Sequence, residues 1–240
     1  MPIRAILFDK DGTLLDYEET WLPINRTVAA TISRGDPALA AALLRAGGHD
    51  PDTDAITAGC ALAAGSAADV ALLWAPLLRA AGVAVDDVQA LTDEIDAIFS
   101  AEGVQSATPV CDLVAYLDTL QARGIRAGIA TSDNYASAMA TVEHLGITEK
   151  FDFICGYDSG HGTKPGPGMV LAFCRQLGLE PAEVAMVGDN THDLEMGRAA
   201  GAGLVVGVLT GSSGAADLAP LADHVLPDIT GLLELICPQK

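Results

Sequence analysis

Residues 3–14 read Ile-Arg-Ala-Ile-Leu-Phe-Asp-Lys-Asp-Gly-Thr-Leu. The stretch up to Phe8 is short and mostly apolar, which predicts a buried β-strand, and a polar, glycine-containing turn ends it. Two carboxylates, Asp9 and Asp11, stand directly beyond the strand. In extended backbone their spacing puts both on one side and Lys10 on the other. Gly12 lets backbone approach a ligand closely. Such a carboxylate pair divides labour as nucleophile and proton carrier when the two environments push their pKa values apart. Asp50, Asp52 and Asp54 are spaced likewise. They lack a preceding strand, and Ala55 and Ala61 stand where a calcium loop needs Gly and Glu.

Working outward, no strand signal occurs between about residues 17 and 103, and the pattern there is helical. Asp36-Pro37 opens one helix with a cap and a Pro at its first position, and Gly47 closes it. Ser66 caps another that runs toward Gly82, with Pro76 expected to kink it. Residues 86–102 form an acidic amphipathic segment. Beyond residue 104, strands at 125–130, 152–155, 184–187, 204–208 and 223–226 alternate with helices near 110–123, 134–145, 167–177 and 193–200. That alternation predicts an α/β fold, a Rossmann-like parallel sheet covered by helices on both faces. An all-helical segment interrupts it right after the first strand. The expected division is an α/β core of residues 1–16 and 104–240 and a helical domain of residues 17–103.

In open α/β sheets chemistry gathers at the carboxyl ends of the strands, and three more of these ends are unusual. Thr131-Ser132-Asp133-Asn134 offers a hydroxyl and free amides at a helix start, a phosphate-binding arrangement or an ordinary cap by Ser132 or Asp133. Lys164 is one of only four lysines and is pinned in Gly162-Thr163-Lys164-Pro165-Gly166-Pro167. A fixed ammonium there can neutralise a phosphate or a carboxylate nucleophile. Gly188-Asp189-Asn190-Thr191-His192-Asp193 places carboxylates four apart at a helix start, hard oxygen ligands that suit Mg²⁺, with capping by Asp189 or Asn190 as the plainer reading. His192 reads as a neighbour of the site rather than a ligand. Gly211-Ser212-Ser213-Gly214 matches no nucleophile motif.

Together these segments resemble the four signature motifs of the haloacid dehalogenase-like superfamily: Asp9 to Leu14, Thr131, Lys164, and Gly188 to Asp193, in the order its phosphatases carry them. Leu15-Asp16 fits the usual end of the first motif, while Phe151-Asp152 through Pro167 and the helical insertion are similar to the phosphoglycolate phosphatase branch, in which the insertion is a cap domain. The resemblance implies an enzyme in which Asp9 attacks phosphorus and Asp11 serves as acid, then base. It implies Mg²⁺ held by Asp9, the Asp11 carbonyl and Asp189. Thr131 and the Ser132 and Gly12 amides would bind the phosphoryl oxygens, and Lys164 would bridge Asp9 and the phosphoryl group. Asp193, beside Asn190, would orient Lys164 or a metal-bound water. Ser132 stands where Asn is frequent and Lys10 where an apolar residue is common, neither at a position that carries the chemistry.

The implied reaction is hydrolysis of a small phosphorylated metabolite, with 2-phosphoglycolate the first choice. Asp11 speaks against the dehalogenase branch. The absence of Lys from residues 17–103 disfavours phosphonoacetaldehyde hydrolases and demotes a β-phosphoglucomutase-like mutase. A catalytically silent binding module would have lost a motif residue, and none is lost. Trp21, Asn25, Arg26 and Trp74 are candidate contacts from the helical segment, as are Arg34, Arg45 and Arg79 for a substrate carboxylate.

Composition bounds the rest. With 32 Asp+Glu against 13 Lys+Arg, the net charge of −19 repels nucleic acid and anionic membranes at long range. The five cysteines, Cys60, Cys111, Cys155, Cys174 and Cys237, are odd in number and form no CxxC, so a reducing compartment is expected. The first apolar stretch is too short for a signal-peptide core and no run is long enough for a bilayer. The expectation is a cytoplasmic monomer or homodimer without nucleic-acid or membrane partners.

Overall fold

The computed structural model describes residues 2–236; Cys237 and Lys240 lie outside them. Six parallel strands form one sheet in the order β3-β2-β1-β4-β5-β6. They are β1 Ala5–Phe8, β2 Arg126–Ala130, β3 Phe153–Cys155, β4 Val184–Gly188, β5 Leu204–Val208 and β6 His224–Leu226. The helices are α1 Tyr17–Ile32, α2 Pro37–Gly47, α3 Ala61–Ala64, α4 Ala67–Ala80, α5 Val88–Gln105, α6 Leu113–Ala122, α7 Tyr135–His144, α8 Gly168–Leu177, α9 Thr191–Ala200, α10 Ala215–Leu218 and α11 Leu232–Ile236.

The sheet is buried on both faces, so its strands read as apolar runs rather than alternating ones. Period two still sorts the side chains. Ile6 and Phe8 pack with Leu117 and Leu120 of α6 on one face, while Ala5 and Leu7 pack with Val170 and Phe173 of α8 on the other. All four side chains of β1 are fully buried, and each large one stabilises the fold by about 1.5–3 kcal/mol. Chain order runs outward from β1 through β2 to β3, then returns to β4 on the opposite side. The crevice at this reversal opens beyond the carboxyl ends of β1 and β4, where ligands bind in such sheets.

Helices α1–α5 share a hydrophobic core of their own, centred on the fully buried Trp74 with Ile24, Val28, Leu43 and Ile95. The caps formed as their residues dictate. Asp36 accepts from the Ala38 and Leu39 amides at 2.9 and 3.1 Å, and Ser66 and Asp69 cap α4 reciprocally. Helix α4 continues through Pro76. The starts of α6, α7 and α9 differ from expectation, α6 beginning at Leu113 behind an Asp112 cap. Helix α7 is capped by Asn134, which accepts from the Ser137 amide at 2.8 Å, because the Thr131–Asp133 backbone is taken up in a loop. Helix α9 begins two residues early, at Thr191, since Asn190 and Asp193 form a capping box.

The four described cysteines are free. Among the described residues no helix is long and apolar enough to cross a membrane.

Candidate active site

Four strand ends converge on one crevice. Asp9 follows β1, Thr131 follows β2, Asp189 follows β4, and the loop 209–214 follows β5. Asp9 is 6 % exposed and Asp189 2 %. Lys164 reaches in from the loop before α8, with its Nζ 2.5 Å from Asp9 Oδ1 and 2.6 Å from Asp193 Oδ1. The second Asp193 oxygen accepts from the Asn190 amide at 3.1 Å, so the capping box that starts α9 also aims the carboxylate that holds the lysine. Asp9, Asp189 and Asp193 each present an oxygen within 4.8 Å of the others.

Electrostatics follow from this crowding. Burial pushes the Asp9 carboxyl up to about 6, against the opposing Lys164 ammonium. Burial, and then the charges of Asp9 and Asp193, hold Asp189 well above the usual carboxylate range. Burial works against the Lys164 ammonium, but Asp193 and Asp9 outweigh it and push its pKa up. Three carboxylates share one lysine, a donor set of oxygens with an unmet need for positive charge.

Backbone shape makes room for this packing. Gly12 has φ of +78°, and a Cβ there would stand 2.6 Å from Asp189 Cγ. A Cβ on Gly211 would fall 1.9 Å from Asp189 Oδ2. Ser212 donates to that oxygen from its amide at 2.9 Å and its hydroxyl at 3.3 Å, and the Thr210 hydroxyl donates to the Gly12 carbonyl at 2.7 Å. The loop after β5 therefore seats Asp189, a role that motif matching at Gly211–Gly214 missed. The signal available in the sequence was a glycine-serine loop directly after a buried strand.

Lys10 departs from its expected orientation. Its Nζ lies 2.7 and 2.8 Å from the two Asp11 oxygens and 3.0 Å from Asp133 Oδ2, and it is 3 % exposed. Alternation fails because the chain leaves extended geometry after Phe8: the Leu14 and Leu15 amides both bond to the Lys10 carbonyl in a tight turn. Trp21 of α1 donates from Nε1 to Asp11 Oδ1 at 2.6 Å and lies beneath the Lys10 ammonium, 5.6 Å from ring centre to Nζ. Burial raises the Asp11 carboxyl to about 6, with Lys10 opposing.

The remaining candidates separate cleanly. Thr131 is buried and its hydroxyl accepts from the Asp133 amide at 3.1 Å; Ser132 faces the helical bundle at the Ala64 carbonyl, 3.4 Å away. Trp21, Ser132 and His192 line the crevice. Trp74 does not reach it, being buried in the bundle core, and Asn25 packs against the Tyr17 hydroxyl. The four bundle arginines point elsewhere. Arg26 pairs with Asp54, Arg34 with Glu94 and Arg45 with Asp52, and Arg79 donates to the Val85 carbonyl. These pairs also consume the Asp52 and Asp54 carboxylates. His161 stacks on Phe153, away from the crevice.

The haloacid dehalogenase-like hydrolase family pattern matches residues 3–201. An N-acetylmuramic acid 6-phosphate phosphatase of Pseudomonas aeruginosa is 27% identical over 203 residues, 84% of this chain and 80% of its own. A phosphoglycolate phosphatase of Rhodospirillum rubrum is 29% identical over 208 residues, 85% of this chain and 78% of its own. The crystal structure of a predicted phosphoglycolate phosphatase from Haemophilus somnus 129pt shares the fold, with a TM-score of 0.74 at 18% identity over 97% of each chain. With the sheet order and the four converging strand ends, these matches establish that the chain belongs to the haloacid dehalogenase-like hydrolases and is a phosphomonoester hydrolase.

Proposed function

We propose that this enzyme hydrolyses a small phosphate monoester through an aspartyl-phosphate on Asp9, with Mg²⁺ as cofactor. The observation that carries the reading is the buried Asp9 carboxylate at the end of β1, 2.5 Å from the Lys164 ammonium and crowded by Asp189 and Asp193.

The residues fit the metal. The donor set is oxygen only and over-supplied with negative charge, as a hard divalent cation requires. Asp9, the Asp11 carbonyl and Asp189 would hold it, since both Asp193 oxygens are already engaged by Lys164 and the Asn190 amide. When bound, the ion offsets the repulsion between a carboxylate and a phosphate dianion.

An Asp9 oxygen forms the new bond to phosphorus, while the bond to the ester oxygen breaks and its electron pair leaves with that oxygen. Asp11 supplies the proton the leaving alcohol needs. A carboxyl raised to about 6 is available in both forms near neutrality, as a residue that is acid and then base must be. In the second step Asp11 takes a proton from water, which attacks phosphorus and frees Asp9. Lys164 neutralises charge on Asp9 and the transferred group, and Asp193 positions it. The Thr131 hydroxyl and the Gly12 and Ser132 amides face the phosphoryl oxygens. Residues 17–103 act as a cap over a core of residues 1–16 and 104–240, with Trp21 and Ser132 at the seam, and closure excludes water from the first step. Of the candidate esters, 2-phosphoglycolate, whose leaving group is glycolate, is the reference suggested by relatives such as that of Rhodospirillum rubrum.

Phosphate release from p-nitrophenyl phosphate and small esters, with Mg²⁺ or with EDTA, tests this in wild type and Asp9→Asn. Release that requires metal and is lost in the variant is expected. Undiminished release with EDTA or from Asp9→Asn contradicts it, and conversion of a sugar 1-phosphate to its isomer would indicate a mutase.

A further inference from the structure

The crevice has two parts. An inner chamber of about 60 Å³ holds the catalytic groups, and an adjoining one of about 400 Å³ shares Ser132, Lys164 and His192 with it. Opposite Asp9 and Asp11, the inner wall comes from the helical bundle. Trp21 and Phe99 meet edge to face, 5.5 Å between ring centres, and Asp96 stands beside them. The Asn134 amide group donates to Asp96 Oδ2 at 2.7 Å; Oδ1 accepts from no donor among the described residues.

The charge inventory of this wall is one-sided. Six aspartates line the inner chamber, and its one lysine, Lys164, is held by Asp9 and Asp193. No arginine lines either chamber among the described residues. The bundle arginines are tied to partners outside, and Lys10 is spent on Asp11 and Asp133. A leaving group ending in a carboxylate would be brought beside Asp96 and Asp133 with no guanidinium or free ammonium to meet it, a repulsive juxtaposition that selects against such esters. His192 adds a single imidazole to the wall, and the Trp21 indole nitrogen is already engaged by Asp11. A hydroxyl or ammonium finds acceptors there, and the Trp21–Phe99 pair offers an apolar face to the carbon skeleton.

We infer that the leaving group carries hydrogen-bond donors and no carboxylate, an alcohol of the polyol, sugar or amino-alcohol class, read by Asp96. This rests on the phosphatase reading and narrows it. It sets this chain apart from relatives named for phosphoglycolate, whose ester ends in a carboxylate.

Three esters of equal length isolate the end group: 2-phosphoglycolate, 2-hydroxyethyl phosphate and phosphoethanolamine. Glycerol 3-phosphate against 3-phosphoglycerate repeats the comparison on a longer skeleton. The hydroxyl or the ammonium ester is expected to exceed its carboxylate counterpart at least tenfold in kcat/KM, and whichever leads names the donor. For an ester that is not turned over, its inhibition of p-nitrophenyl phosphate hydrolysis supplies the comparison. Asp96→Asn is expected to narrow the ratio at least threefold. Equal rates, a preference for the carboxylate esters, or a ratio that Asp96→Asn leaves unchanged overturns the inference while p-nitrophenyl phosphate turnover keeps the phosphatase reading intact. Loss of turnover on every ester, p-nitrophenyl phosphate included, removes both.

Discussion

Asp11 is gripped by two partners, Lys10 and Trp21 of α1. The ammonium also holds Asp133, so it separates two carboxylates that would otherwise face each other in a poorly solvated space. Removing one partner of a buried charge pair is costly because it strands the other, and the partial exposure of Asp11 and Asp133, 17% and 22%, reduces that cost. Lys10→Met is therefore expected to destabilise the fold by about 2 kcal/mol, a fall in Tm of roughly 4–8 °C measurable by calorimetry. Asp9→Asn has the opposite character. It removes a negative charge from a crowded cluster, so it is expected to abolish turnover while leaving Tm equal or higher. A variant that loses both activity and fold would show that Asp9 is structural.

The strand ends were legible because apolar runs followed at once by acids or hydroxyls have few structural explanations. Asp9, Thr131 and Asp189 are legible that way, Lys164 instead from the scarcity of lysine and its Gly-Pro setting, and all four line the crevice. What stayed hidden depended on turns and on residues distant in sequence. Lys10 was misplaced because period two stops at Phe8, where the chain turns. The start of α9 is late in the sequence reading because caps at Asp189 and at Asn190 both stay open there, and the Asn190–Asp193 capping box decides between them only in the structure. Within the bundle, Trp21 and Trp74 look equivalent in sequence, yet one lines the crevice and the other fills a core; only packing separates them. The loop after β5 went unread because its contribution, donors from Thr210 and Ser212 and the missing side chain of Gly211, forms no motif. Gly211→Ala places a methyl group on the Asp189 carboxylate. Displacing a group that orients a metal ligand costs about 10–100-fold in affinity, so Mg²⁺ titration followed by calorimetry is expected to show a loss in that range. Unchanged affinity would remove Asp189 from the metal site.

Across the molecule, 32 acidic residues oppose 13 basic ones, and among the described residues the group packed closely enough to hold a metal ion is Asp9, Asp189 and Asp193. Burial pushes the Asp9 carboxyl up to about 6 in the folded state, from 3.8 for a free carboxyl. An unfolded chain gives up this proton first, so between those values the folded state binds more protons and stability falls as pH rises. The contribution is fully present below 3.8 and gone above about 6, and Asp11 adds to it in the same direction. Mg²⁺ binding needs the ionised carboxylates and stabilises only the folded state. The rise in Tm on adding Mg²⁺ is thus expected to be larger at about pH 7.5 than at about pH 5, and an equal rise at both would contradict a site built on these raised carboxyls. The bundle and the sheet each have a core of their own and both line the crevice, so on the proposed function the reaction and its selectivity are decided there together. Phosphorus is expected to pass through Asp9. Acid quenching during turnover of a good ester, followed by mass spectrometry of the peptides, tests it most directly. A hydroxylamine-labile phosphoryl group on Asp9, absent from Asp9→Asn, is the predicted result; a phosphoryl group on another residue, with turnover intact in Asp9→Asn, would contradict it.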